Sequence, residues 1–515
     1  MSTQIEWSLR RRAGLSGALC ALLALGACAN LKPEPLSASD IRAVAAADRG
    51  RAGRDVEALR GPLTLEEAVA RALKYNLGAR AKQMEEAVAR GQLDAGRYDL
   101  LPKLIASAGY TDRNKDLITR STDSVTGQPS LAHPYINSDK SAFTTDVGFT
   151  WSLLDFGQSY YAARQGADRA LIAGERRRRA THALIQDVRT AFWRTAVAQK
   201  LHRGVAAAIA GAEDALAESR KVESERLRNP VDALRYQRQL LENMRLLEAI
   251  EQELAGAQIE LAALIDLPPG AEFTVAEPAS PAAARWQDVP VERLEEQAIA
   301  NNAELRETFY NARIANLETR RALLKLFPGV SFNYGVDSSD DSYLIYKHWT
   351  QAGAQLSFNL LGLLSAPAQM RLADAGVALA DQQRMVTQMV LLAQVHLARL
   401  QYRFAQRQFE RADTIWQVDR QLAEHSSLRE QAQTQTKLDR VGAQTAAILS
   451  ELRRYQALAL VQSAAGKLQA TLGLEPVVQA DRDASLADIT QAVAASLKQW
   501  DQARLPDAQA TGETH

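Results

Sequence analysis

The sequence predicts a mainly helical protein that carries four β-strands and is built as two copies of one helix–strand–hairpin unit. Three observations predict it. Residues 63–110 recur as residues 291–336, with Asn76, Arg80, Pro102 and Gly109 returning 226 positions later as Asn302, Arg306, Pro328 and Gly335. Each copy holds two segments that alternate apolar with small or polar residues. After each strand pair comes a very long heptad-patterned helix and a returning helix. A repeat of this size fixes the architecture before any single motif does.

Charge is balanced at 61 basic and 61 acidic residues, so no polycationic surface for nucleic acid is implied. Proline and glycine are few, and alanine with long polar side chains favours helix over most of the chain. Beyond the N-terminus no apolar run reaches about 18 residues, so a mature chain that enters a membrane does so with strands.

The N-terminus reads as a targeting segment: Arg10, Arg11 and Arg12 form its charged region, and an apolar stretch from Ala13 to Leu25 follows. Leu25, Gly26, Ala27 and Cys28 resemble a bacterial lipobox, which implies cleavage before Cys28 and lipidation of that cysteine. The alternative is a plain secretory signal cut near the same place. Ala29 follows, not the Asp that marks retention in the inner membrane. Cys20 falls in the discarded segment, so Cys28 stands alone and no disulfide or thiolate metal site can form. The organisation expected is a signal peptide (1–27), an anchored tether with one short helix (28–62) and a first repeat (63–267). A Pro/Ala-rich linker (268–290), a second repeat (291–475) and a tail with one short helix (476–515) complete it.

In the first repeat a helix over about 64–101 stops at Pro102 and passes into a strand over 103–111. There Leu104, Ala106, Ala108 and Tyr110 face one way, and Ile105, Ser107, Gly109 and Thr111 the other. Residues 112–142 are rich in turn formers and read as a long exposed loop. In the second strand Val147, Phe149, Trp151 and Leu153 alternate with Gly148, Thr150 and Ser152. In the third, Val330, Phe332, Tyr334 and Val336 alternate with Ser331, Asn333, Gly335 and Asp337. In the fourth, Ala352, Ala354, Leu356 and Phe358 alternate with Gly353, Gln355 and Ser357. The loop is shorter in the second copy, yet the parity survives; a one-residue slip would invert each face. Apolar residues on one face and small or polar ones on the other match a transmembrane β-barrel wall around water. Four strands cannot close such a wall, because open edges in lipid leave backbone groups unpaired. An oligomer is required.

Val188, Ala191, Thr195, Ala198, His202, Val205, Ile209, Ala212 and Leu216 form a heptad seam, repeated by Val386, Val390, Ala393, Leu397, Leu400 and Phe404. The first long helix, from about Gly157 to Arg228, spans on the order of 100 Å. Asn229 and Pro230 break it. The returning arms match 207 positions apart, Asp232 with Asp439, Leu261 with Leu468 and Asp266 with Gly473.

Residues 63–475 resemble the TolC-like outer-membrane efflux protein family, lipoprotein type. The resemblance rests on LTLEEAVARALKYN, LLPKLIASAGY, WSLLDFGQ, the hairpin ends LIDLP and LGLEP, and the duplication. It implies a homotrimer in which each protomer gives four strands to a 12-stranded barrel in the outer membrane. The helices would form an α-barrel in the periplasm. Such proteins are exit ducts of tripartite efflux systems, joined by a periplasmic adaptor (membrane fusion) protein to an inner-membrane pump of RND or ABC type. Alternatives are the outer-membrane component of type I protein secretion and, from another class, a non-conducting trimeric envelope scaffold.

The family's aperture carboxylates fall on Asp232 and Asp439, and a ring of carboxylates at a constriction favours cations. For Asp232 the competing role is an N-cap carboxylate. The second carboxylate of the family's aperture pair falls on Gly442, and its locking Arg on Gln435, so the lock is weaker here or differently made. Leu227, Arg228, Asn229 and Pro230, with Gln433, Thr434, Gln435 and Thr436, would be the adaptor-facing tips.

Tyr110, Phe149, Trp151, Phe332 and Tyr334 read as barrel-exterior or interface-belt aromatics facing outer-membrane lipid. Arg176, Arg177, Arg178 and Arg179 wrap their helix, about 100° apart, and read as a solvated or headgroup-facing run rather than a nucleic-acid patch. The histidines lack ligand spacing, and His202 and His396 read as packed on helix seams. No nucleophile elbow, phosphate loop or HExxH occurs, so neither an enzyme, a cofactor nor a metal is expected.

Overall fold

A computed structural model describes residues 35–129, 134–224, 230–268, 270–276, 286–434, 436–476 and 484–505. Two compact units divide between Val56 and Glu57. Among its described residues the first holds one helix, α1 (Ala38–Ala52), which buries no residue and is started by a capping box in which Ser37 and Asp40 bond each other's backbone N–H.

The second unit holds both repeats. Its first copy runs α2 (Leu65–Tyr75), α3 (Leu77–Arg97), β1 (Lys103–Asp112), β2 (Ile118–Thr119), β3 (Tyr135–Ile136), β4 (Ser141–Ser152), α4 (Leu153–Ser224), α5 (Pro230–Ala255) and α6 (Ala257–Leu264). The second copy runs α7 (Val291–Asn301), α8 (Ala303–Leu324), β5 (Gly329–Ser339), β6 (His348–Ser357), α9 (Gly362–Gln431) and α10 (Lys437–Thr471), and α11 (Leu486–Asp501) follows.

Where the sequence predicts one helix before each first strand, the structure has two. Asn76 ends α2 and starts α3: its Oδ1 accepts from the Ala79 N–H at 3.0 Å, while its Nδ2 donates to the Leu264 carbonyl at 3.0 Å. Asn302 repeats the device between α7 and α8, accepting from the Leu305 N–H at 3.1 Å and donating to the Thr471 carbonyl at 3.1 Å. Each asparagine ties the break to the far end of its own repeat's returning arm. The carbonyls of that arm's last turn lack helical partners, and the amide supplies one.

β1, β4, β5 and β6 form one antiparallel sheet in that order. Leu104 lies opposite Phe149, Phe149 opposite Tyr334, and Tyr334 opposite Ala352. Directly paired residues share a face, so the alternation read along each strand becomes one apolar face across all four. Two strand ends differ from the sequence reading. Leu153 opens α4 instead of closing β4, and Phe358 lies beyond β6. Within the loop over 112–142, β2 and β3 pair as a short ribbon.

α4 is 72 residues long and buries a stripe against α5 and α10. Trp193, Val197, Leu201 and Val205 pack there with Leu247, Leu452, Tyr455 and Leu458. Along this stripe Leu201 takes the place read for His202, which is exposed. The rest of the first seam follows the stripe: Val188, Ala191, Thr195, Val205, Ala212 and Leu216 are buried, and Ala198 and Ile209 half-buried. The second seam departs entirely. Val386, Val390, Ala393, Leu397, Leu400 and Phe404 are all exposed, while Leu391, Val395, Ala398, Tyr402 and Ala405 form the buried face of α9.

The described parts of the linker and tail are packed. Leu63 pairs with Val275 in a parallel bridge, and Trp286 is fully buried. α11 packs on α2, burying Leu486, Ile489, Val493, Leu497 and Trp500. The arginine run is solvated only in part: Arg176 and Arg179 are exposed and Arg177 and Arg178 half-buried, and all four are paired. Arg176 reaches Glu307 at 2.7 Å, Arg177 reaches Glu86 at 2.6 Å, Arg178 reaches Glu475 at 2.6 Å, and Arg179 lies 3.9 Å from Glu304. The 100° step sends consecutive side chains to different neighbours, and each finds its own carboxylate.

Candidate channel wall and hairpin tips

The sheet's second face is mostly small and polar, with Ile105 and Trp349 as its large exceptions. Its register sets Gly148 opposite Gly335, Asn333 opposite Gly353, and Asp146 opposite Asp337. Ser107 donates a hydrogen bond to Asp146, while Oδ2 of Asp337 is shielded and has no hydrogen-bond partner. Asp146 is the sole Asp, Glu, Lys or Arg in β4, and Asp337 the sole one in β5. Lys103 and Asp112 sit at the two ends of β1, and β6 has none. The middle of this face therefore carries negative charge alone. The sequence reading put Asp337 on the polar side but passed over Asp146. Its place one residue before Val147 was the signal.

Tyr110, Phe149, Trp151, Phe332 and Tyr334 all lie on the apolar face. Trp151 is half-buried, with its ring 6.1 Å from Phe156 edge-on and 6.4 Å from Phe332. The other four are exposed, Tyr110 by 68%. β1 and β6 are the sheet's edges.

At the hairpin ends, Asp232 and Asp439 both occupy the third position of a returning helix. The N-terminal capping role weighed for Asp232 is shown by Asp439. Asp439 donates its N–H to Thr436 Oγ1 at 3.2 Å, and its carboxylate accepts from the Thr436 N–H at 3.1 Å and hydroxyl at 2.7 Å. Asp232 is exposed, with Arg235 at 3.9 Å. Gln433 holds a left-handed φ of 56°, and the Thr434 N–H bonds the Arg429 carbonyl at 2.9 Å, which turns the chain after α9. Pro230 opens α5. Cys28, Leu227, Arg228, Asn229 and Gln435 lie outside the described residues.

Two basic residues not singled out in the sequence tie the second tip down. Lys437 donates to Glu218 of α4, and that bond holds the ammonium above its ordinary pKa. Arg440 lies 3.8 Å from Glu430 and donates to Gln444 at 3.2 Å. Gly442 has open space where a Cβ would be. His396 is exposed and paired with Glu295 at 2.7 Å rather than packed on a seam. Among the described residues no group of three or more His, Cys, Asp or Glu side chains is placed to hold a metal ion. No helix among them is long and apolar enough to cross a membrane.

Paired long hairpins joined to a one-sided four-stranded sheet define the TolC-like fold. The CmeC outer membrane channel of Campylobacter jejuni superposes with a TM-score of 0.63 at 12% identity, covering 85% of this chain and 89% of that one. The open state of the MtrE outer membrane channel of Neisseria gonorrhoeae gives 0.59 at 15% identity, covering 80% and 89%. The outer membrane protein VceC of Vibrio cholerae gives 0.58 at 15% identity, covering 79% and 96%. No protein-family model matches the chain, and no curated protein matches it in sequence. The likeness is one of fold.

Proposed function

We propose that the protein is a homotrimeric outer-membrane channel, the passive exit duct of a tripartite efflux system. One observation carries the reading: the sheet has an apolar face, a small acidic face and two unpaired edges. An open edge in lipid leaves backbone groups unsatisfied, so β6 of one copy pairs with β1 of the next until the wall closes. The exposed stripe of α9 supports the same assembly. Val386, Val390, Leu397, Leu400 and Phe404 expose apolar area in one protomer, and a second copy covers it. The aromatic face then meets lipid, and Asp146 and Asp337 line water.

The helical tips face the periplasm, where an adaptor joins them to an inner-membrane pump of RND or ABC type. Asp232 and Asp439 border the aperture, and Lys437 with Glu218 supplies the tie that Gln435 cannot. Type I protein secretion uses the same duct chemistry and is the second reading. Cys28, lipidated, anchors the chain to the outer membrane. Native mass spectrometry of the membrane-extracted protein tests the assembly: three copies and acyl-chain mass are expected, whereas a monomer stable in detergent would remove the basis for a closed wall.

A further inference from the structure

The two repeats meet where the end of α10 reaches α4 and the α7–α8 break, and His182 of α4 sits at that meeting. It is 8% exposed, its Nε2 has no hydrogen-bond partner, and the Glu475 carboxylate lies 3.7 Å away. Glu475 is already engaged by Arg178 Nε at 2.6 Å. Arg178 also donates to Glu175 at 2.7 Å and to the Asn301 carbonyl at 3.3 Å, and Glu175 takes Arg306 of α8 at 2.8 Å. The charged groups around the imidazole are thus Glu175 and Arg178 from α4, Arg306 from α8, and Glu475 beyond α10. The backbone leaves no slack: a Cβ on Gly473 would lie 2.3 Å from the Asn301 carbonyl oxygen. The other repeat lacks the arrangement, since Pro268 stands 207 positions before Glu475. The repeat architecture itself does not demand it.

We propose that His182 is a proton-sensitive pin that holds the junction of the two repeats closed while neutral and loosens it in acid. A proton on the closed imidazole adds a cation beside Arg178 in a water-poor space, where both compete for one carboxylate. Burial holds the imidazole below its ordinary pKa of 6.5, and Arg178 adds to this against the pull of Glu475. An opened junction rehydrates the ring, which then takes a proton readily. The open state therefore binds more protons, and its share rises as pH falls through 6.5. An ordinary imidazole sets the ceiling, about tenfold more opening at pH 5.5 than at pH 7.5. This inference rests on the packing of the junction and does not depend on the channel reading.

The test is hydrogen exchange of the full-length protein at the two pH values, corrected for the intrinsic pH dependence of exchange. The peptides to follow cover residues 299–305 and 471–476. Protection there is expected to fall several-fold, up to about tenfold, in acid for the wild type, and to stay level in His182→Gln. Equal acid loosening in His182→Gln, or none in the wild type, overturns the proposal. A histidine-labelled NMR titration gives a check that needs no folded variant. His182 should titrate below the ordinary 6.5 while the junction is protected; titration at an ordinary value with the junction intact refutes the pin.

Discussion

Asp146 and Asp337 are direct partners across β4 and β5, two carboxylates facing each other on the polar side of the sheet. Like charges so placed cost roughly 0.2–1 kcal/mol. The Ser107 hydroxyl on Asp146 offsets part of it. Replacing both by Asn is expected to leave assembly intact, raise thermal stability slightly and weaken the preference for cations. Reversal potentials across a salt gradient read this out. An unchanged potential would mean that this face does not line the conduction path.

The α9 stripe makes a separate prediction. Leu397→Glu places a charge on a surface that is exposed in one protomer, so the single chain should fold normally. In the proposed trimer the same charge would be buried, against a side chain worth about 1.5–3 kcal/mol of burial. Native mass spectrometry should show trimer replaced by monomer, while Lys498→Glu on α11 leaves the trimer alone. Trimer retention in Leu397→Glu would place the interface elsewhere.

Lys437 and Glu218 are both well exposed, and exposed pairs contribute about 0–1 kcal/mol. Lys437→Ala should therefore raise open probability by no more than about fivefold at low salt, with the difference vanishing near 1 M salt. A closed channel unaffected at low salt would show that the tip is held by something else.

Gly473 and Gly442 form a matched pair. Gly473 has φ 69° and sits against Asn301, so Gly473→Ala should cost well over 1 kcal/mol and lower the melting temperature by several degrees. Gly442 lies inside α10 with open space where a Cβ would be, so Gly442→Ala should stabilise by up to about 1 kcal/mol. Thermal denaturation of the two variants side by side checks both signs.

Local pattern carried the strand parity and the long helices, because alternation and heptads are written in neighbouring residues. It could not place the break at Asn76, whose amide bonds a carbonyl 188 residues away, or at Asn302, bonded across 169. The repeat flagged both asparagines without saying what they hold. Heptads found an apolar stripe on α9 but not whether its partner lay in the same chain. Asp146 acquires a meaning once the register sets it against Asp337. The capping box at Thr436 and Asp439 is a local motif that was open to view, yet the N-cap role was weighed at Asp232.

Single-channel recording of the purified protein in planar bilayers, wild type beside Asp232→Ala with Asp439→Ala, addresses the duct itself. Cation-selective openings are expected, with the double variant less selective or larger in conductance. A trimer that inserts but never conducts, with or without the aspartates, would contradict a duct and leave a structural envelope scaffold.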